Sequence, residues 1–185
     1  GAAIVAVKFE GVFHEFSSIP GVVEDVTEII LNLKQLNLVL DDEAKEKRIY
    51  VKHDKQGKIF GSDIVTDPQV YVLNPDLPIA TLDRGGSLDM EMIVRRGRGY
   101  VPAERQEIEG ESVQMIPIDS VFSPVEKVCY HIENTRVGQS TDYDLLVMEI
   151  WTNGGITPED AVAHGAKIVK DHMQIFINFD EEPEP

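Results

Sequence analysis

The sequence predicts an α+β fold in two parts: a β-rich domain built around one amphipathic helix, then two long strands and a long helix. Three features carry this. Val23, Val26, Ile29, Ile30, Leu33 and Leu36 recur three and four residues apart, the spacing of one helical face. Residues 38–94 read instead as short alternating runs broken by Gly, Pro and Asp, the texture of an antiparallel sheet. Thr157-Pro158-Glu159-Asp160 then opens a second helix, with threonine as cap, proline at the first helical position and acids where the helix dipole favours them.

Taken in order, residues 3–9 alternate as a strand, Gly11 interrupts them, and residues 12–16 read as a second short extended piece. Ser17-Ser18-Ile19-Pro20-Gly21 is a turn. The first helix is expected over 23–35, with Glu24 and Asp25 in its first turn and Lys34 in its last. Residues 48–53 run into Asp54-Lys55-Gln56-Gly57, read as a hairpin turn, and 59–64 and 70–73 are short strands. Residues 79–82 and 88–94 flank Asp83-Arg84-Gly85-Gly86, a second hairpin signal. Residues 106–112 are acidic and unpatterned and read as an exposed loop.

After Ser123-Pro124 the texture changes. Residues 125–133 and 144–152 read as long strands, the first with Val128, Tyr130 and Ile132 on one face, joined by a polar connection at 134–143. Asn153-Gly154-Gly155 ends the second strand, and the last helix is expected to reach residue 178. Along it Val162, Ala166, Val169, Met173 and Phe176 form a packing seam, widened by Ala161, Ile168 and Ile175. So broad a stripe requires a partner helix, either the first helix of this chain or one from another chain. The expected division is 1–122, 123–179 and an acidic, proline-rich tail at 180–185.

Charge and composition narrow the function. With 33 acidic and 17 basic residues the net charge is −16, a field that repels phosphate backbones and argues against direct nucleic-acid binding. No apolar run approaches the length of a membrane span. The single cysteine, Cys129, cannot form an internal disulfide and suits a reducing cytoplasm. The start, GAAIVAVKFEG, lacks a methionine and the basic opening of a signal peptide, as if the chain were a piece of a longer protein.

Catalytic chemistry is hard to find. None of the five histidines pairs with another at helical i, i+4 spacing, and there is no zinc-type cysteine pattern. Arg95-Arg96-Gly97-Arg98-Gly99 has the glycines of an anion loop, but not the Lys-Ser/Thr and helix of a P-loop; its plainer reading is a hairpin exit whose arginines pair with acids. Two enzyme alternatives stay open: His14 with Glu15 as an acid–base pair, or Asp142 and Asp144 around a metal ion. A free-standing dimeric binding module is the third alternative.

Four segments, in order, carry a family resemblance: GVFHEFSSIPGVVEDVTEIILNLKQL, RRGRGYVPAE, SVFSPVEKVCYHIENTRVGQSTDYDLL and MEIWTNGGITPEDAV. Together they resemble the N-terminal assembly region of the bacterial DNA-directed RNA polymerase alpha subunit family over nearly the whole chain. The resemblance implies a scaffold without catalytic residues, cofactor or metal of its own. The β-rich part corresponds to an insert domain, and the part after it to the second half of a dimerisation domain. A strand and a helix are then expected before Gly1, and a DNA-binding domain after Pro185, so that the seam is partly orphaned here. Two copies would form a homodimer through Val162, Ala166, Val169, Met173 and Phe176. That dimer would nucleate assembly of the beta and beta-prime subunits, the latter carrying the catalytic magnesium. Glu28, Lys34, Ile118, Val125 and Arg136 match positions that face those subunits, and residues 104–111 correspond to a variable acidic loop.

Overall fold

The computed structural model describes residues 1–41, 43–108, 114–138 and 140–177, and only the backbone of residues 136, 137 and 140–142. The chain divides into two compact units, Gly1–Pro124 and Val125–Pro185.

Unit 1 contains β1 (Ala2–Phe9), α1 (Val26–Leu33), β2 (Leu38–Leu40), β3 (Glu46–His53), β4 (Gly57–Phe60), β5 (Val70–Val72), β6 (Pro78–Leu82), β7 (Leu88–Arg96), β8 (Tyr100–Val101), β9 (Ile116–Pro117) and β10 (Ser120–Val121). Among the described residues, six strands form one sheet in the order β3-β7-β1-β2-β5, with β9 also on β1. Every pairing in it is antiparallel. β4 pairs with β6, and β8 with β10, as separate ribbons.

β1 is apolar at almost every position because both of its faces are covered. Its register against β7 shifts between Ile4 and Ala6, a bulge that breaks the alternation. Ile4, Val7 and Phe9 therefore join the main core, while Val5 and Ala6 pack with Ile93, Met115 and Phe122 in a second cluster. β7 follows the pattern without a bulge: Leu88, Met90, Met92 and Val94 face the main core, and Ile93 faces the second cluster.

α1 closes the main core with Val26, Ile29, Ile30 and Leu33. It is shorter than its apolar periodicity suggests. Asp25 is the N-cap of a capping box: the Glu28 N–H donates to Asp25 Oδ1 (2.8 Å) and the Asp25 N–H to Glu28 Oε2 (3.1 Å). Residues 22–24 stay out of the helix because they are held against β6. Val22 bridges Leu82, the Val23 N–H donates to the Thr81 carbonyl (3.0 Å), and the Glu24 carboxylate accepts from the Thr81 N–H (2.6 Å) and hydroxyl (2.9 Å). Glu24 is thus a cross-link to β6 rather than a partner of the helix dipole. Lys34 is the C-cap. Beyond it Asn74 clamps the chain, its amide donating to the Gln35 carbonyl (2.9 Å) and its Oδ1 accepting the Asn37 N–H (2.8 Å).

Both expected hairpins are absent. β3 pairs with β7, not β4, and β6 pairs with β4, not β7. The Asp83–Gly86 turn does form, with the Gly86 N–H on the Asp83 carbonyl (2.9 Å), but it passes the chain from a ribbon to the main sheet. β7 is apolar toward two layers and takes β1 and β3 as neighbours, which leaves no edge for β6. Residues 12–16 form no strand; Val12 is buried and residues 14–16 are bend and turn. Residues 106–108 are not a featureless loop either, since Gln106 Nε2 donates to the Ile118 carbonyl (3.1 Å) and Ser120 Oγ (3.0 Å); residues 109–113 lie outside the described residues.

Unit 2 contains β11 (Val125–Val137), β12 (Ser140–Thr152) and α2 (Pro158–Met173). β11 and β12 form one long hairpin, so the expected polar connection is mostly strand and the reversal occurs near Gly138, whose φ is 63°. Thr157 caps α2, accepting the Asp160 N–H (3.2 Å). α2 ends at Met173 and a 3-10 turn, Gln174–Phe176, follows it; residue 178 and the tail lie outside the described residues.

The Ile19–Gly21 turn and the Asp83–Gly86 turn interlock. The Asp83 N–H donates to the Gly21 carbonyl (2.9 Å), and a Cβ on Gly86 would overlap the Gly21 backbone. Gly86→Ala is therefore expected to cost about 1–3 kcal/mol, read as a lower urea unfolding midpoint. Gly85→Ala, whose Cβ meets open space but whose φ is 81°, tests backbone strain separately.

Candidate protein-interaction surfaces

α1 delivers Lys34 to the surface beside the 118–120 segment. Lys34 Nζ lies 3.1 Å from Asp119 Oδ2, with the lysine side chain 32% exposed. Asp119 Oδ1 accepts the Ala103 N–H (2.9 Å). Ala103 opens the 3-10 turn Ala103–Arg105, so Asp119 caps that turn from another part of the chain. The Ala103 N–H, and then Lys34, hold the Asp119 carboxyl below its ordinary 3.8.

Of the residues matched to large-subunit contacts, Lys34 and Ile118 come into one neighbourhood, on either side of this carboxylate. Ile118 itself is 3% exposed and belongs to the main core. Its N–H donates to the Val5 carbonyl (2.9 Å), and its side chain is buried. Glu28 is exposed, but its carboxylate closes the capping box. Val125 begins β11 half-buried; Arg136 lies in β11 and its side chain is outside the described set.

The glycines of RRGRGYVPAE have packing reasons. A Cβ on Gly97 would sit 2.8 Å from the Phe122 ring, and Gly99 has a φ of 62° with its carbonyl taking the Phe122 N–H (2.8 Å). Arg95 binds Glu46 Oε2 through Nε (2.9 Å) and Nη2 (2.6 Å), directly across the β3–β7 pair, and Arg96 donates to the Leu40 carbonyl. Arg95 therefore pairs with an acid, as expected, whereas Arg96 clasps a backbone carbonyl and Arg98 is exposed.

Among the described residues the acid–base alternative finds no assembly. His14 has its hydrogen bond to the Ser17 hydroxyl (3.2 Å), and Glu15 is exposed. The Asp142 side chain lies outside the described set. No group of three or more His, Cys, Asp and Glu among the described residues is placed to hold a metal ion. A feature missed in the sequence is the exposed aromatic pair Phe13 (64%) and Phe16 (81%), which periodicity cannot separate from core phenylalanines.

Unit 2 has the opposite character to unit 1: none of its described side chains is buried. One hairpin face stacks Val128 opposite Ile150, Tyr130 opposite Met148 and Ile132 opposite Leu146. On the other, Lys127 Nζ lies 4.7 Å from the centre of the Trp151 ring it opposes. The seam residues Val162, Ala166, Val169, Met173 and Phe176 are all exposed. The apolar face of the first helix is already buried in the core of unit 1.

The family model for the RNA polymerase Rpb3/RpoA insert domain matches residues 7–123. The chain belongs to this family. The match lies wholly within unit 1. The whole chain is also similar to curated proteins named DNA-directed RNA polymerase subunit alpha. The one from Geobacter metallireducens is 56% identical over 100% of this chain and 54% of its own length. Those from Carboxydothermus hydrogenoformans and Leptospira biflexa are 53% and 51% identical, over 98% and 100% of this chain and 58% and 57% of their own lengths. The chain thus spans a little over half the length of these relatives. No helix among its described residues is long and apolar enough to cross a membrane.

Because the Asp119 carboxyl is held low, its contribution to stability is complete above the ordinary aspartate range and is lost as pH falls through the depressed value. Asp119→Asn is expected to lower the urea midpoint at neutral pH and to lose less of it than the parent protein below about pH 4. Parallel acid profiles for the two proteins would contradict this.

Proposed function

We propose that this chain is the assembly region of a DNA-directed RNA polymerase alpha subunit and works as a non-catalytic scaffold. The supporting observation is the contrast between its units. Unit 1 buries a complete core, whereas unit 2 presents two apolar surfaces, one on its hairpin and one on α2, with no described side chain buried. A two-stranded hairpin and one helix of this kind are marginal without further material against them. Such surfaces belong to an assembly. Membership of the insert-domain family and similarity to alpha subunits over the whole of this chain support the polymerase as that assembly.

On this reading α2 packs against a second alpha subunit through Val162, Ala166, Val169, Met173 and Phe176, giving a homodimer in the cytoplasm. The dimer then holds the beta and beta-prime subunits, with Glu28, Lys34, Val125 and Arg136 near the contact. The chemistry of nucleotide addition, and the magnesium ion it requires, belong to the beta-prime subunit. This chain supplies geometry alone.

The test uses the full-length gene product. Val169→Asp with Met173→Asp places two carboxylates on the seam and is expected to convert the dimer to a monomer in sedimentation equilibrium. Recovery of polymerase core from beta and beta-prime should fall with it. A dimer of unchanged affinity would remove the seam from the interface. An unmutated protein that recovers no core would remove the scaffold reading.

A further inference from the structure

We propose that Lys34 is a positioning residue, which through Asp119 sets the 100–105 segment as a docking surface for a large polymerase subunit. The proposal rests on the scaffold reading above. Its starting point is that the two oxygens of Asp119 have separate tasks: Oδ2 meets Lys34 at 3.1 Å and Oδ1 takes the Ala103 N–H at 2.9 Å. The lysine at the end of α1 and the first residue of the 3-10 turn thus share one carboxylate.

The segment cannot hold itself. β8 is two residues long and the 3-10 turn three, too little for local hydrogen bonding to fix a conformation. Its place is set from outside, by the pairing of Tyr100 and Val101 with β10, by Asp119 on Ala103, and by Gln106 on Ile118 and Ser120. Ser120 Oγ in turn lies 2.6 Å from the Ile4 carbonyl in β1, so the segment is referenced to the central sheet.

What it displays has the composition of an interface. Tyr100 is 60% exposed, and Arg98, Glu104 and Arg105 are exposed around it. Arg98 and Arg105 have no ion pair among the described residues, in a protein whose net charge is −16. Tyrosine and arginine are the side chains that carry binding energy at protein interfaces. The complementary partner is a protein surface offering carboxylates to the guanidinium groups and an apolar hollow to the tyrosine ring.

The experiment combines amide exchange over residues 100–106 of the full-length protein with recovery of core from beta and beta-prime. Lys34→Ala is expected to speed exchange about threefold and Asp119→Ala about tenfold, and both should lower recovery. Lys34→Arg should restore both readouts. Arg98→Ala with Arg105→Ala should lower recovery and leave exchange at the parent rate. Recovery that falls in Lys34→Ala with exchange unchanged would make the lysine a direct contact and overturn the proposal. So would unchanged recovery in Arg98→Ala with Arg105→Ala, or in Asp119→Ala. Failure of the unmutated protein to assemble removes the scaffold reading instead, and is seen before any variant is compared.

Discussion

The antiparallel pairing of β1 with β7, interrupted by the bulge at Val5, is the constraint on which unit 1 depends. A regular β1 would place Ile4 and Ala6 on one face and Val5 and Val7 on the other. The extra residue reassigns them, sending Ile4 and Val7 to the core under α1 and Val5 and Ala6 to the smaller cluster with Phe122. It also leaves the Val5 carbonyl turned toward the 116–121 stretch, where it takes the Ile118 N–H. Ile118, Asp119 and Ser120 are anchored by this bond and by Ser120 on Ile4. The surface around Lys34 and Ala103 is thereby built outward from a strand in the middle of the sheet.

The two units solve burial differently. In unit 1 polar residues serve the backbone of distant segments: Glu24 serves Thr81, Asn32 serves the Ile79 carbonyl and Asp119 serves Ala103. Each such bond ties a loop or helix end to the core without using an apolar side chain. Unit 2 has its secondary structure in place, with a capped helix and a long hairpin ladder, but its apolar residues face outward. Local hydrogen bonding shapes it, with little apolar burial of its own.

Periodicity made several elements legible. The Val26, Ile29, Ile30 and Leu33 face of α1, the Thr157 cap and the shared face of Val128, Tyr130 and Ile132 depend on neighbours in sequence and are found where the pattern puts them, whereas Val23 lies before the helix and is exposed. Strand pairing was not legible in the same way. Asp54-Lys55-Gln56-Gly57 bends the chain and Asp83-Arg84-Gly85-Gly86 turns it, but a turn does not choose partners, and the demand of β7 for two neighbours decided the sheet. The start of α1 was misjudged for a related reason, since Glu24 bonds to a residue 57 positions away. At the surface, Lys34 was recognisable as a long cation at a helix end. Nothing local tied it to Asp119, 85 residues on, and Ile118 looked the same whether core or contact.

Asn74 holds the exit of α1 with both halves of its amide, as donor to Gln35 and acceptor from Asn37. Conversion to aspartate would abolish the donor and set a negative charge against the Gln35 carbonyl. Asparagine usually undergoes that conversion when the next backbone nitrogen attacks the side-chain amide and closes a succinimide ring. The next residue here is Pro75, whose nitrogen carries no hydrogen. The residue that secures the helix end is thus shielded by its neighbour from the commonest route of chemical ageing.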